Sequence, residues 1–444
     1  MRRLLGLLLG VVMAGSLVVA ACSDRDEGDG SPTRDDPGRT STPEGPAPTR
    51  PPATPQPLTP ALQKIMDDLA SVRGLEAPPE LEVNLIARSE LRALLDGLLT
   101  DEDREWFRTT TTLYRLLGHF RDDQDYETVY ESFGSGSVLG LYSPLDDALW
   151  VVHDDDETLD LENLPSSHKE TLVHEFVHAI QDYNFKLDEV YSRTVDDLDW
   201  GLAYTSAVEG DAVTTEREYT RKFGFRIGAG PVLLAAGGLT SMQDVPPSIA
   251  RELLFPYTTG VEWVADVRRD GTAAVDAIIK DPPRGSVYVI HPELLDVGFE
   301  PADVKLPDVS DALGGDWERE SGGQFGEFQV RNYLQLRARS GQSATAAAGW
   351  QGDHYEVYVN GDETVAAFRL KFATDNDARE FAEAQEDWLD ASGAEPVERE
   401  GARYHEGDDG DVTATAAPNG TEVVFVIGSN QQATEKAMTA LLRG

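Results

Sequence analysis

Cys22 is the only cysteine in this chain of 444 residues. A lone thiol excludes an internal disulfide, so stability must come from core packing and from any ion the fold binds. Basic residues are also scarce. There are 38 of them against 80 acidic residues, a net charge of −42, and only 8 of the 38 are lysine. That surface excludes nucleic acid as a partner and disfavours anionic lipid headgroups. Histidine is scarcer still, at 8 residues, so two of them at a metal-ligand spacing stand out. Long apolar runs are missing apart from the one at the amino terminus, and no internal repeat is evident.

That single run carries an address. Arg2 and Arg3 precede Leu4 to Ala21, which ends in Val19-Ala20-Ala21-Cys22. A positive start, a greasy stretch and small residues before a cysteine predict an exported bacterial lipoprotein. Residues 1–21 would be removed and Cys22 would carry the lipid. An uncleaved anchor and a plain secretory signal compete with this reading. The 18 residues of the run are barely enough to span a bilayer, and the position of the only cysteine favours lipidation. Residues 22–60 read as a tether, because ten of the 25 prolines fall between Pro32 and Pro60. Such a segment stays extended and could span roughly 120 Å as polyproline II. The folded part is therefore expected outside the cytoplasm, attached to the membrane only through its lipid.

What the chain does have is His174-Glu175-Phe176-Val177-His178, inside the run from Lys169 to Asp182, which lacks Pro and Gly. On a helix, residues four apart share a face, so both imidazoles reach one ion while Glu175 faces a water on it. Two histidines leave a tetrahedral metal short of a third protein ligand. One known continuation needs a glycine three residues and a ligand six residues after the second histidine. Gln181 and Asn184 stand there instead. The other continuation takes a glutamate from a following helix. Glu209, 31 residues after His178 and flanked by small residues, is the best candidate, with Glu216 and Glu218 as rivals nearer a solvated end.

The coarse pattern predicts an α+β chain. A strand at Leu81–Ile86 is followed by helices near 89–98 and 102–119, strands at 138–142 and 148–152, the metal helix, and a helix over 198–219. Together, residues 61–310 read as a catalytic domain with a small sheet. Ala148–Val152 is the candidate edge strand for an extended substrate, with an ordinary buried strand as the competing reading. Residues 311–444 read as a smaller α+β module, with a ferredoxin-like layout as one option. The segment Gly349–Asp353 reads as a tight turn, with a binding lip as the competing reading. Tyr257, Tyr288 and His291 are candidate donors to a developing oxyanion. Asp182 and Asp211 are candidates to orient the ligand imidazoles, and each of the five competes with a purely structural role.

The chain resembles the gluzincin-type bacterial proteins with an H-E-x-x-H helix, a group of exported or lipid-anchored metallopeptidases. The resemblance rests on Leu139–Pro144, Thr171–Asp182, Val208–Ala212, Pro256–Gly260, Pro282–Ser286, His291–Glu293 and Ala347–Tyr355, over roughly residues 80 to 360. It implies a zincin-like catalytic domain, Zn2+ as cofactor, His174, His178 and Glu209 as ligands, Glu175 as general base, and a peptide substrate. Tyr183-Asn184 and Arg284–Tyr288 depart from the group's usual residues without touching the ligands. A lipoprotein that keeps this fold as a surface binding or scaffold protein, without turnover, is the alternative expectation. An acidic, lysine-poor surface also predicts tolerance of salt. Unfolding midpoints should rise between low and molar salt, and a flat profile would exclude that adaptation.

Overall fold

The computed structural model describes residues 55–443 apart from 135–137, 157–158, 225–244, 391–395, 400, 408–409 and 417–419. The expected signal peptide, Cys22 and most of the tether lie outside the described residues. The protein is α+β, and no described helix is long and apolar enough to cross a membrane.

The amino-terminal part is a four-stranded sheet packed against helices. Its elements begin with β1 (Gln56–Pro57), α1 (Pro60–Arg73) and β2 (Glu82–Ala87). They continue through α2 (Arg88–Leu98), α3 (Asp101–Leu116), α4 (Tyr126–Gly134), β3 (Gly140–Ser143) and β4 (Ala148–His153). The tether gives way earlier than expected. Gln56 and Pro57 pair antiparallel with Val83 and Glu82, and the Thr59 hydroxyl caps α1. The strand order is β1-β2-β4-β3. This overturns Ala148–Val152 as the edge, because β4 is paired on both sides, parallel to β2 and antiparallel to β3. The reason lies in its composition: an unbroken apolar run suits a strand buried on both faces. Among the described residues, β3 forms the edge beside the helices.

Four further helices build the middle of the molecule: α5 (Ser166–Phe185), α6 (Leu187–Thr194), α7 (Leu198–Phe223) and α8 (Pro247–Leu254). Behind them come α9 (Thr259–Val267), α10 (Thr272–Lys280) and the short α11 (Val287–Ile290). The sheet side of α5 buries Leu172, Val173, Phe176 and Ile180 in a core shared with α1 and β4. His168 fixes the start of that helix through its Nε2, 2.9 Å from the Val152 carbonyl. Residues 62–83 share that core, and residues 86–130 pack into a second apolar cluster that includes Tyr204 and Val208 of α7.

The carboxy-terminal part is a seven-stranded antiparallel sheet of order β5-β6-β7-β11-β10-β9-β8. Its strands are β5 (Glu318–Gly323), β6 (Trp350–Asn360), β7 (Glu363–Phe372), β8 (Val397–Arg399), β9 (Ala402–Glu406), β10 (Val412–Ala416) and β11 (Glu422–Gly428). Its helices are α12 (Gly326–Leu334), α13 (Ser340–Ala347), α14 (Asp375–Asp390) and α15 (Gln431–Arg443). A ferredoxin-like layout would place both α14 and α15 on one face. Here they cover opposite faces. Phe381 of α14 packs with Phe368 and Phe425, whereas Ala437 and Met438 of α15 pack with Ala367 and Val426. Strands β7 and β11 are apolar on both sides, so each face needs a cover. Of the expected turn at Gly349–Asp353, Gly349 does turn, at φ +79°, whereas Trp350 to Asp353 form the bulged start of β6.

The expected boundary near residue 310 does not separate two cores. One apolar cluster runs from Ile86 through Tyr204 and Phe325 to Ile427. A buried polar junction adds to it. Asp353 accepts from Phe325 N, Gly326 N and the Trp350 indole, at 2.6, 2.8 and 2.7 Å. Asp199, at the start of α7, accepts from Ser286 N and the Gln324 amide, both at 2.9 Å. Gly326, at φ +85°, abuts this carboxylate so closely that an added Cβ would lie 1.9 Å from its Cγ. Burial pushes the Asp199 carboxyl up to about 8 and Asp353 up to about 6, and Asp197 adds its charge to both.

An unfolded aspartate titrates near 3.9, so the folded state holds extra protons above that pH. The stability they contribute is full in acid and is lost as pH rises toward 8. Asp199→Asn should therefore flatten the fall of the unfolding midpoint between pH 5 and 8. An unchanged slope would mean that Asp199 ionises freely in the folded protein.

Candidate metal centre

Two helices that cross face to face supply the site. From α5 come His174, Glu175 and His178, all buried; from α7 comes Glu209, fully buried. The three ligand candidates offer atoms that all lie within 4.8 Å of one another. His174 Nε2 and His178 Nε2 are 3.0 Å apart, and Glu209 Oε2 lies 3.3 and 3.4 Å from them. A tetrahedral zinc with bonds of about 2.0–2.1 Å places its ligand atoms about 3.3 Å apart. The three edges fit that figure.

Charge in the cluster leads to the same requirement. Burial alone would lower the His174 pKa, yet hydrogen bonds to Glu209 and Glu216 reverse this and raise it to about 10. Burial would raise Glu209, but His178 and His174 bring it down to about 2. The group therefore demands one positive charge at its centre. A proton on His174 answers that demand in the absence of a metal, and a cation held by all three groups would answer it better.

Each imidazole is aimed from behind. Gln181 donates its amide to the Val208 carbonyl at 2.9 Å and to Asp211 at 3.0 Å, so its oxygen is left to accept. That oxygen lies 2.9 Å from His178 Nδ1, which must carry the hydrogen and leave Nε2 free as a ligand atom. Glu216 lies 3.4 Å from His174 Nδ1 and orients the second ring in the same sense. The sequence reading placed Glu216 at a solvated end. It is buried, because Glu209 and Glu216 are seven residues apart and so share the face of α7 that meets α5. Glu218 faces away and pairs with Arg268.

Glycine permits the approach on the far side of α7. A Cβ on Gly210 would lie 2.5 Å from the Gly260 carbonyl, and one on Gly260 would lie 3.0 Å from Ser206. The small residues around Glu209 thus admit α9. This crossing brings Tyr257 to the site. Its buried hydroxyl is held in the protonated form first by desolvation and then by Glu209, with which it hydrogen-bonds.

Glu175 is positioned by the edge strand. Its Oε2 accepts from Tyr142 N at 2.8 Å, and its Oε1 is buried without a partner. Burial raises its pKa to about 7, against the pull of both imidazoles and the Tyr142 N–H.

The other expected residues divide. Asp211 touches no imidazole directly but reaches His178 through Gln181. Asp182 is not an orienter at all. It accepts from the Tyr142 hydroxyl at 2.9 Å and from Leu187 N at 2.8 Å, closing the end of the metal helix where Lys186 adopts φ 58°. Tyr288 donates to the Phe299 carbonyl and His291 pairs with Glu327, so neither joins the cluster. Gln181 was legible only as the residue that closed the third-histidine route. Its position one turn after His178 was the signal for an orienting role.

Comparison with known proteins reaches only the other end of the chain. The family described as "Domain of unknown function (DUF8575)" matches residues 316–438, which span the seven-stranded sheet and most of its last helix. No curated protein and no solved structure matches.

The purified folded part should bind one zinc per chain, measured by elemental mass spectrometry. His174→Ala and Glu209→Ala should each abolish binding. Glu216→Gln should weaken it by about 10–100-fold, whereas Glu218→Gln should leave it unchanged. Wild-type protein that stays metal-free after equilibration with zinc would exclude the site.

Proposed function

We propose that this protein is an exported, lipid-anchored zinc peptidase that hydrolyses peptide bonds outside the cytoplasm. One observation carries the reading. Glu175 sits beside the two imidazoles with one carboxylate oxygen pinned by a backbone N–H and the other buried and unpartnered. Burying a carboxylate oxygen without a partner costs on the order of 1–3 kcal/mol or more. A binding or scaffold protein would gain nothing in return, whereas a general base needs that oxygen free for a proton.

Zinc bound to His174, His178 and Glu209 would polarise the scissile carbonyl and acidify a water. Glu175 Oε1 takes the proton of the attacking water and then delivers it to the leaving amine. Its other oxygen stays on Tyr142 N, so the carboxylate turns little while the proton moves. The Tyr257 hydroxyl has one hydrogen and gives it to Glu209; once zinc takes that carboxylate, the hydroxyl would be released to donate to the oxyanion that develops on the carbonyl.

Strand β3 supplies a rail for an extended substrate. The bond from Val152 N to the Leu139 carbonyl, 2.9 Å, sets the ladder so that Leu141 and Ser143 bond toward β4. Gly140 and Tyr142 therefore turn their backbone groups away from β4, toward the side on which Glu175 lies. Tyr142 N is taken by Glu175, which leaves the Gly140 groups and the Tyr142 carbonyl to pair with a peptide. The lipid at Cys22 and the proline-rich segment would hold this edge away from the membrane.

Glu175→Gln should retain a full equivalent of zinc and lose about 10²–10⁴-fold in kcat on a peptide library. Tyr257→Phe should cost about 10²–10³-fold in kcat with KM little changed. Full turnover by the Glu175→Gln variant would overturn the mechanism.

A further inference from the structure

The metal centre reaches further than its ligands, and it reaches α1, the first helix after the tether. Arg73, the last residue of α1, is fully buried. Its Nε lies 2.7 Å from Asp211 Oδ1 and 2.8 Å from Asp211 Oδ2, and its Nη2 donates to Asp276 at 2.6 Å. Asp211 in turn takes the Gln181 amide, and Gln181 takes the hydrogen of His178 Nδ1. The path from the guanidinium to a metal-ligand imidazole is three hydrogen bonds, each between buried side chains.

An amide can present either end, and an unanchored Gln181 could offer its NH2 to His178 as readily as its oxygen. Two acceptors prevent this: the Val208 carbonyl and Asp211. Asp211 serves only while its carboxylate is held in the orientation that meets the Gln181 amide, and a buried carboxylate is held best by a paired cation. Arg73 is the closer of its two, with Arg268 at 3.3 Å on the other side. Arg73 is 138 residues away in sequence and enters through tertiary packing alone.

We propose that Arg73 is a positioning residue of the metal centre: by holding Asp211 it locks the Gln181 amide, and so fixes the His178 tautomer that leaves Nε2 free to bind metal. This inference extends the peptidase reading to a residue outside the H-E-x-x-H and glutamate helices. It concerns metal affinity and tautomer, and does not require that the bound metal be catalytic.

The test measures zinc affinity by chelator competition and the His178 tautomer by ¹⁵N shifts in metal-free, histidine-labelled protein. Both use the wild type, Arg73→Gln, Arg73→Lys, Gln181→Ala and the Arg73→Gln/Gln181→Ala pair, with folding checked by circular dichroism. Gln181→Ala should weaken zinc by about 10–100-fold. Arg73→Gln should weaken it on the order of tenfold, and the double variant should be no weaker than Gln181→Ala alone. The free His178 ring should change from one tautomer to a mixture in Arg73→Gln. Arg73→Lys, which keeps the charge, should recover part of both effects and serves as the informative variant if Arg73→Gln does not fold. Additive losses in the double variant, or an unchanged tautomer in a folded Arg73 variant, would overturn the proposal. Because the tautomer is read without metal, a protein that bound no zinc would sink the peptidase reading while still deciding the role of Arg73.

Discussion

Burying acid is the constraint from which the rest of this structure follows. Helices α5 and α7 bring Glu175, Glu209, Asp211 and Glu216 into one dry interior. Each uncompensated charge there would cost several kcal/mol, a large share of the 5–15 kcal/mol by which a domain is stable. Compensation therefore dictates where everything else must be. Arg73 and Arg268 flank Asp211 on one side. His174 sits between Glu209 and Glu216 and His178 between Glu209 and Gln181, and a central cation would complete the balance. Glu175 and Glu209 each keep one buried oxygen without a partner, both beside the two imidazoles.

The same constraint explains which helices touch. Glu209 can share a cation with the histidines only if α7 lies close against α5, and the other side of α7 must then be closed as tightly. Gly210 against Gly260 and Ser206 achieves this without any side chain between the backbones. A methyl group at Gly210 would push α9 away and carry Tyr257 with it. The glycine beside the ligand and the tyrosine three residues before Gly260 are thus one device.

What the sequence made legible was local. The i, i+4 histidines and the glutamate 31 residues on depend on spacing within one or two elements, and spacing is readable. Glu216 was misplaced because polar neighbours suggested solvent, although its seven-residue step from Glu209 already put it on the buried face. The edge strand was misassigned although the all-apolar Ala148–Val152 carried the mark of an interior strand. Other features had no local signal. Nothing near Arg73 points to Asp211, and nothing near Tyr257 points to Glu209, because those contacts form only when distant elements pack. The opposite-face placement of α14 and α15 follows from β7 and β11 being apolar on both sides, a pattern seen once the two strands are known to be neighbours.

Helix α7 also joins the two halves of the molecule. It begins at the junction where Asp199 accepts from Ser286 and Gln324, and it carries Glu209 ten residues, about 15 Å, further along its axis. An α-helix of 26 residues is stiff over that distance. Its N-terminal end is held by Gly326 and Gln324, which belong to the module around the seven-stranded sheet, so that module fixes one end of the rod that carries Glu209. Loosening the junction would tilt α7 about its Gly210–Gly260 contact and move Glu209 relative to the histidines. The carboxy-terminal sheet, which contributes no residue to the metal cluster, is thereby part of what keeps the cluster in register.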